Sequence, residues 1–589
     1  MSADGQTGRA LFLPTFSEAK DIDDFVAVLE QFERGEMSPD KFRVFRLARG
    51  VYGQRQTDVQ MIRLKIPQGA MGSAQLTAIA DAVEAAGRDI CHLTTRQNVQ
   101  IHFVPMDKVE ASLRALDKAG LTTREACGNT VRNVTADPLS GVAEDTVFDV
   151  RPYGEAITRH LLRKDYDQSL PRKFKIALSA SEADRAMCSI NDVGLIARVR
   201  DGARGFKIVA AGGLSTTPMN AITLHEFLPV GEVLDSVEAI VRLFDRTGNR
   251  ENKHRARLKY VAKKSGPERF VAMYEEELAA VRARGTTPLS SIAVTDEPAP
   301  PPRQDDEDPA VARRPSYLAW RAASVIAQKQ EGYACACVRL PLGDITPAQL
   351  RALAPIAERF SDGTVRTTLE QNLVLRWVPK GKLPALHAAL EDIGLARTGG
   401  QTVEDVTSCP GADSCQLAVT TSRQLGASIA DRFDKLSPKE RSALELARAA
   451  SIKISGCPNS CGQHHVADLG FHGAVKKVGD RSAPVYQLHL GGGVDGASGA
   501  TFGRQVVKLP ARRVADAVVR LLSLYADERA TSPSPETPRD FFRRVTEERV
   551  RAVLADLAVL DETTPDIDFV DLGQEGDFEL KLGKGECAA

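Results

Sequence analysis

The chain has 589 residues, 43% hydrophobic and 26% charged, with a formal net charge of −1. That length exceeds one ordinary domain and points to two to four, each able to bury its own core. The composition is that of a soluble globular protein, and the charge balance gives no global pull toward nucleic acid or a membrane surface. No basic segment followed by an apolar core opens the sequence, so no signal peptide is expected. No run approaches about 18 uninterrupted apolar residues, so no transmembrane helix is expected either. Ten cysteines without an export signal read as ligands, catalytic groups or buried thiols in a reducing cytoplasm, not as a disulfide framework.

In chain order, residues 1–54 read as an N-terminal arm. Residues 55–125 hold a strand–helix–strand–helix pattern, ending in TTRQNVQIHFVP and the amphipathic KVEASLRALDKAGL. Apolar residues recur there at helical spacing after a two-residue turn. Residues 126–292 form the next domain. Residues 293–315, AVTDEPAPPPRQDDEDPAVARRP, are rich in proline and acid and read as an extended linker.

Residues 316–400 then repeat the first pattern. TLEQNLVLRWVP matches TTRQNVQIHFVP at an offset of 274, placing Gln371 and Asn372 on Gln97 and Asn98. KLPALHAALEDIGL matches the amphipathic helix in the same register. Residues 401–530 repeat 126–292 more loosely, with the offset drifting to 280: KFKIALSAS with SIKISGCPN, INDVGLIARV with VADLGFHGAV, FKIVAAGGL with YQLHLGGGV. This alignment sets Lys453 on Lys175. Residues 531–589 begin with the break TSPSPETP, continue into an amphipathic helix near 539–559, and end in an acidic tail that reads as solvated and disordered. The chain is therefore a duplicated α+β protein. Its related halves can pack about a pseudo-twofold axis and form a site between them.

The second half carries TSCPGADSC and SGCPNSCGQHH, a C-x5-C pair followed after 41 residues by C-x3-C. Four thiolates on short loops rich in Gly, Pro, Asn and Ser suit an iron–sulfur cluster, because such loops turn two cysteines toward one point and offer N–H groups to the sulfurs. Structural zinc is the competing reading, although its ligand pairs normally sit two to four residues apart. Cys91, Cys127, Cys188, Cys335, Cys337 and Cys587 read as core or surface thiols. Cys335 and Cys337 alternate on a strand.

These cysteine loops resemble those of the siroheme-dependent sulfite and nitrite reductase family. CHLTTRQNVQIHF, EACGNTVRNVTADPLSG, LPRKFKIAL, GGLSTTP and NRENKHRARLKYV are similar to family motifs in the same order. The resemblance implies a duplicated fold: two ferredoxin-like half-domains (55–125 and 316–400), and two siroheme/4Fe–4S-binding α+β domains (126–292 and 401–530). It implies that Cys409, Cys415, Cys457 and Cys461 hold a 4Fe–4S cluster, with Cys461 also bridging to the siroheme iron. It implies catalytic roles for Arg96, Arg132, Lys173 and Lys175, and cofactor contacts from Arg96, Arg132, Gly212, Gly213 and Asn459. A buried octacarboxylate macrocycle and an anionic substrate need such positive charge. Arginine offers a planar fork to an oxyanion, and lysine offers a point charge and a proton source.

The expected reaction is six-electron reduction of sulfite, with nitrite as the alternative. Lys175 favours sulfite, because plant nitrite reductases resemble a version with Asn there. A reading of another class is an iron–sulfur electron-transfer or sensor protein without siroheme. No nucleotide fingerprint is visible, so electrons are expected from a ferredoxin or a flavoprotein partner, to a monomer or hetero-oligomer in the cytoplasm. The resemblance gives His464 and His465 no axial role; they read as structural or siroheme-carboxylate contacts. Tyr52 and Cys127 stand where some family members carry a covalent Tyr–Cys link.

Overall fold

The computed structural model describes residues 13–529, 536–583 and 585–586. Cys587 and residues 531–535 of the TSPSPETP break lie outside them. Four five-stranded sheets carry the fold, two per half. In the first sheet, Val51–Gly53, Val59–Arg63, Val99–Pro105 and Cys91–Leu93 pair antiparallel. Its counterpart joins Val325–Ala327, Tyr333–Val338, Leu373–Pro379 and Thr364–Thr367 in the same manner. Each copy's sheet thus contains two short strands beyond the expected strand–helix–strand–helix pattern. The first helix after the hairpin, Met106–Asp117, starts directly behind Pro105 with no intervening turn, because proline fixes φ in the range that enters a helix.

The halves complete each other. Ala70–Gly72 of the first half pairs with Thr364–Thr367, and Asp344–Ile345 of the second pairs with Cys91–Leu93. One core runs through both, including Ile62, Leu76, Ile79 and Leu113 from the first half and Leu353, Leu373, Leu375 and Leu386 from the second. The duplication is visible in backbone conformation as well. Gln97 and Gln371 both take left-handed φ, at 54° and 68°, in the turns of the paired hairpins. Their side chains do matching work. Gln97 Nε2 donates to Ala136 O at 2.9 Å and across the seam to Thr367 O at 2.8 Å. Gln371 Nε2 donates across the seam to Leu93 O at 2.9 Å, and its Oε1 accepts from Ser408 N at 3.0 Å.

The other two sheets share one topology: two parallel pairings, then two antiparallel. Thr135–Ala136, Ile176–Ser179, Val193–Arg200, Ala203–Ala210 and Ile222–Pro229 make the first. Thr407–Ser408, Ile452–Ser455, Leu469–Val478, Arg481–Leu490 and Arg504–Pro510 make the second. Each sheet packs its own apolar core against helices, Val233–Thr247 in one and Val514–Arg529 in the other. This register corrects the sequence alignment of Lys453 with Lys175. Val193 N donates to Lys175 O, and Leu469 N donates to Ser451 O, both at 3.0 Å. Lys175 N and Ser451 N also donate to equivalent aspartates, Asp192 and Asp468, each at 2.8 Å. The counterpart of Lys175 is therefore Ser451. The offset at this strand is 276, because the two-residue slip lies before it and not after.

The 293–315 segment is extended until a short helix at Pro309–Ala312, and it is pinned. Against the effect of burial, Arg376 and Arg151 hold the Glu297 carboxyl down at about 2. The expected 539–559 helix is three short ones, Pro538–Arg544, Glu547–Val553 and Ala555–Ala558. Thr546 caps the second, accepting from Arg549 N at 3.2 Å, and a cap of that kind starts a new helix. The tail is not solvated along its length. Phe569 and Leu572 are buried, Asp571 Oδ2 accepts from Thr421 N at 2.9 Å, and Glu586 accepts from Gly53 N at 2.7 Å and Arg46 Nη1 at 2.9 Å. Among the described residues no helix is long and apolar enough to cross a membrane.

Replacing Gln371 by Leu removes partners from the buried Leu93 carbonyl and Ser408 amide. Unpaired buried groups cost about 1–3 kcal/mol each, so the variant should be roughly 2–6 kcal/mol less stable, read as a lower denaturant midpoint for unfolding.

Candidate active site

Cys409 and Cys415 flank a tight loop after Thr407–Ser408, and Cys457 and Cys461 flank another after Ile452–Ser455. The two strands are parallel neighbours, so their C-terminal ends deliver both loops to one place. Crowded backbone makes glycine necessary there. A Cβ on Gly456 would meet Thr420 O at 2.7 Å and Gly411 Cα at 2.8 Å, and Gly411 itself has φ +60°. Gly456 N donates to Cys409 Sγ at 3.3 Å, and Ser422 Oγ lies 3.3 Å from the same sulfur.

All four thiols are free of disulfide bonds, and Cys461 is the exposed member. Burial, then Cys461, pushes the Cys409 thiol up to about 11. Cys415 rises for the same two reasons, and Cys457 rises through burial, Cys461 and Cys409. Four sulfurs that repel one another as thiolates share one basin, and cationic metal is what relieves that repulsion.

The first half fastens these loops. Arg55 N donates to Ser414 O at 2.9 Å, its Nε to Cys415 O at 3.3 Å and its Nη2 to Ala418 O at 2.6 Å. Thr95 Oγ1 donates to Cys461 O at 2.9 Å, and Ser215 Oγ to Asn459 Oδ1 at 3.3 Å. Thr95 precedes Arg96, and Ser215 follows Gly212 and Gly213. A Cβ on Gly213 would meet Lys259 Cδ at 3.3 Å and Arg257 Nη2 at 3.5 Å.

The basic residues gather beside Cys461. Arg96 Nη1 donates to Asn191 Oδ1 at 2.8 Å and its Nη2 to Asn133 O at 2.6 Å, while its buried Nε has no partner. Burial lowers the guanidinium to about 9, with Arg257 and Arg132 repelling it against the pull of Asp192. Lys175 is held well below its ordinary range by burial first and then by Arg96, Arg257 and Lys173, while Cys461 pulls it up. Arg132 is turned to backbone, its Nη2 donating to Gly128 O at 2.7 Å. Asp192 is the buried counter-ion, accepting from Arg257 Nη2 at 2.6 Å. So the structure brings Arg96, Lys173, Lys175, Asn459 and the four cysteines to one seam.

Arg55, Thr95, Asp192 and Arg257 are not among the residues expected from the sequence, although the last three sit inside the motifs quoted above. The Asp192–Asp468 match in the repeat was the available signal. Tyr52 packs on the small buried cluster that contains Cys127. The other described cysteines are buried.

A twice-repeated α+β chain that gathers four free thiols beneath clustered cations has the layout of an iron–sulfur oxidoreductase. A family model for the nitrite and sulphite reductase 4Fe–4S domain matches residues 127–281 and 399–558. One for the nitrite/sulfite reductase ferredoxin-like half domain matches 52–119 and 326–393. The chain belongs to the siroheme-dependent nitrite and sulfite reductase family. It is 30% identical over 444 residues to a ferredoxin–nitrite reductase of Synechococcus elongatus, covering 74% of this chain and 80% of the relative. It is 29% identical over 496 residues to sulfite reductase [ferredoxin] 1 of Mycolicibacterium paratuberculosis, covering 83% of each. The structure of Mycobacterium tuberculosis NirA protein superposes with a TM-score of 0.73 at 27% identity, covering 91% of this chain and 98% of that one. The protein is accordingly an oxidoreductase whose cofactors are siroheme and a 4Fe–4S cluster. The residues present fit that pair: four unpaired thiols in one basin, and beside them a cationic group whose Arg96 Nε is orphaned.

Arg55 supports the Cys415 loop without touching its sulfur. Partners of that kind typically govern metal retention by about 10–100-fold, so Arg55→Ala should lose iron to a ferrous chelator faster by roughly that factor, with its far-UV circular dichroism unchanged.

Proposed function

We propose that the chain reduces sulfite to sulfide by six electrons, with Cys409, Cys415, Cys457 and Cys461 holding the cluster and Cys461 joining it to the siroheme iron. The observation that carries this reading is the meeting of Arg96, Lys173 and Lys175 with Cys461 at the seam between the halves. Siroheme coupled to the cluster would, when bound, relay the six electrons from the external donor to the oxyanion. The protein's own part is charge and protons. Lys175 and Lys173 present ammonium groups, and Arg96 presents a fork oriented by Asn191 and Asn133; an incoming oxyanion relieves the repulsion among them. Because Lys175 already sits well below the ordinary lysine range, it gives up a proton more readily than an exposed lysine. That suits a reaction in which each departing oxygen leaves as water. Arg132, Gly212, Gly213 and Asn459 are assigned to the cofactor's periphery.

Nitrite is the alternative substrate, and relatives named for each anion occur at similar identity. The electron donor is assigned as a ferredoxin, following the relatives' names, with a flavoprotein as the alternative. A cytoplasmic location accompanies this assignment. The lysine at position 175 supports sulfite over nitrite. Lys175→Asn should shift the ratio of sulfite to nitrite turnover toward nitrite by about tenfold, the effect of roughly 1.4 kcal/mol between two transition states. Steady-state rates with reduced methyl viologen and each anion measure it, and an unchanged ratio removes the substrate assignment.

A further inference from the structure

Just past the Cys461 loop, four histidines crowd together. The ring centroids of His464 lie 4.2 Å from His465, 5.0 Å from His472 and 4.7 Å from His489. His472 Nδ1 and His489 Nε2 are 2.7 Å apart. One nitrogen from each of His464, His472 and His489 falls within 4.8 Å of the others. His464 is fully buried, and neither of its ring nitrogens has a hydrogen-bond partner.

The duplication supplies an internal comparison. Gly470 pairs with His489 and His472 with Gln487; in the first half, Gly194 pairs with Val209 and Ile196 with Lys207. The 3₁₀ turns Cys188–Ile190 and His464–Val466 also correspond. The places of His464, His472 and His489 are therefore those of Cys188, Ile196 and Val209. In the first half these three residues, with Ala177 and Ala186, form a small apolar core. The fold at this point is satisfied by a thiol and two aliphatic side chains. The second half has put three imidazoles there, at the desolvation cost of buried polar atoms.

We propose that His464, His472 and His489 bind a zinc-class divalent transition-metal ion, in a site separate from the four cysteines. Three imidazole nitrogens with no oxygen donor suit zinc and its neighbours and not magnesium or calcium. Nitrogens sharing one zinc at about 2.0–2.1 Å stand roughly 3.3 Å from each other, so the rings need only small shifts from their present spacing. His489 is already oriented. Its Nδ1 lies 3.4 Å from Gly503 O, which leaves Nε2 as the lone-pair atom, the outer-shell arrangement common to zinc-bound histidine. His465 is engaged with Ser215 O at 3.0 Å and is not counted among the ligands; the fourth position falls to water. A metal here would tie the loop after Cys461 to the strands Leu469–Val478 and Arg481–Leu490. The site stands independently of which oxyanion is reduced.

The test uses the holoenzyme with its full iron content, so that the cysteines are not open to zinc. After treatment with a zinc-selective chelator, titration with zinc alone should show one ion per chain. X-ray absorption at the zinc edge should then show nitrogen neighbours at about 2.0–2.1 Å and no sulfur shell near 2.3 Å. The double variant His472→Ile and His489→Val copies the first half's own residues, and should keep its iron and fold while binding zinc more than about 100-fold more weakly. Absence of stoichiometric binding in the wild-type protein, a sulfur shell, or unchanged affinity in the folded variant would each overturn the proposal. Should the variant fail to fold, stoichiometry and the nitrogen shell in the wild-type protein decide the matter alone.

Discussion

Each half of this chain finishes its sheet with a strand from the other, and a glutamine in a left-handed turn hydrogen-bonds across that seam. Everything at the site depends on this exchange. The Gln371 side chain joins Leu93, two residues before Thr95, to Ser408, immediately before Cys409. The turn that carries Arg96 and the strand that leads into the cluster loop are thereby parts of one hydrogen-bonded unit. Because one apolar core runs beneath both halves, the seam cannot open without exposing that core to water.

Duplication placed equivalent backbone at two points, and divergence gave the copies opposite chemistry. The position of Arg96 is taken in the second half by Glu370, whose charge faces Lys453. The position of Lys175 is taken by Ser451. The cations around Lys175 thus come mainly from the first half, and the four sulfurs come from the second. The same division leaves the first half with Asp192 as a buried counter-ion for Arg257, while Asp468 in the second half is occupied by Ser451 and Arg539.

Much of this was legible in the sequence, for reasons that differ by feature. The repeat was visible because hairpin turns need particular residues: the Gln-Asn pairs mark left-handed turns that survived duplication. The cysteines were visible because ligand geometry constrains spacing. Lys453 was set in the wrong register because a two-residue slip between strands leaves no mark where both segments alternate apolar residues. Arg55 and Thr95 act by donating to backbone carbonyls far away in the chain, and no local pattern announces such a contact. The tail looked disordered because its acidic composition hides two buried side chains, Phe569 and Leu572. The meeting of His472 and His489 depends on diagonal pairing across two strands, which becomes known only with the register.

The tail has a consequence in time. Asp571 fastens Thr421, just beyond the Cys415 loop, from 150 residues further along the chain, and Glu586 closes on Arg46 across nearly the whole polypeptide. On the ribosome, the cysteine loops emerge well before the segment that latches them. The contact that fixes Thr421 can therefore form only after the cysteine loops themselves have been made.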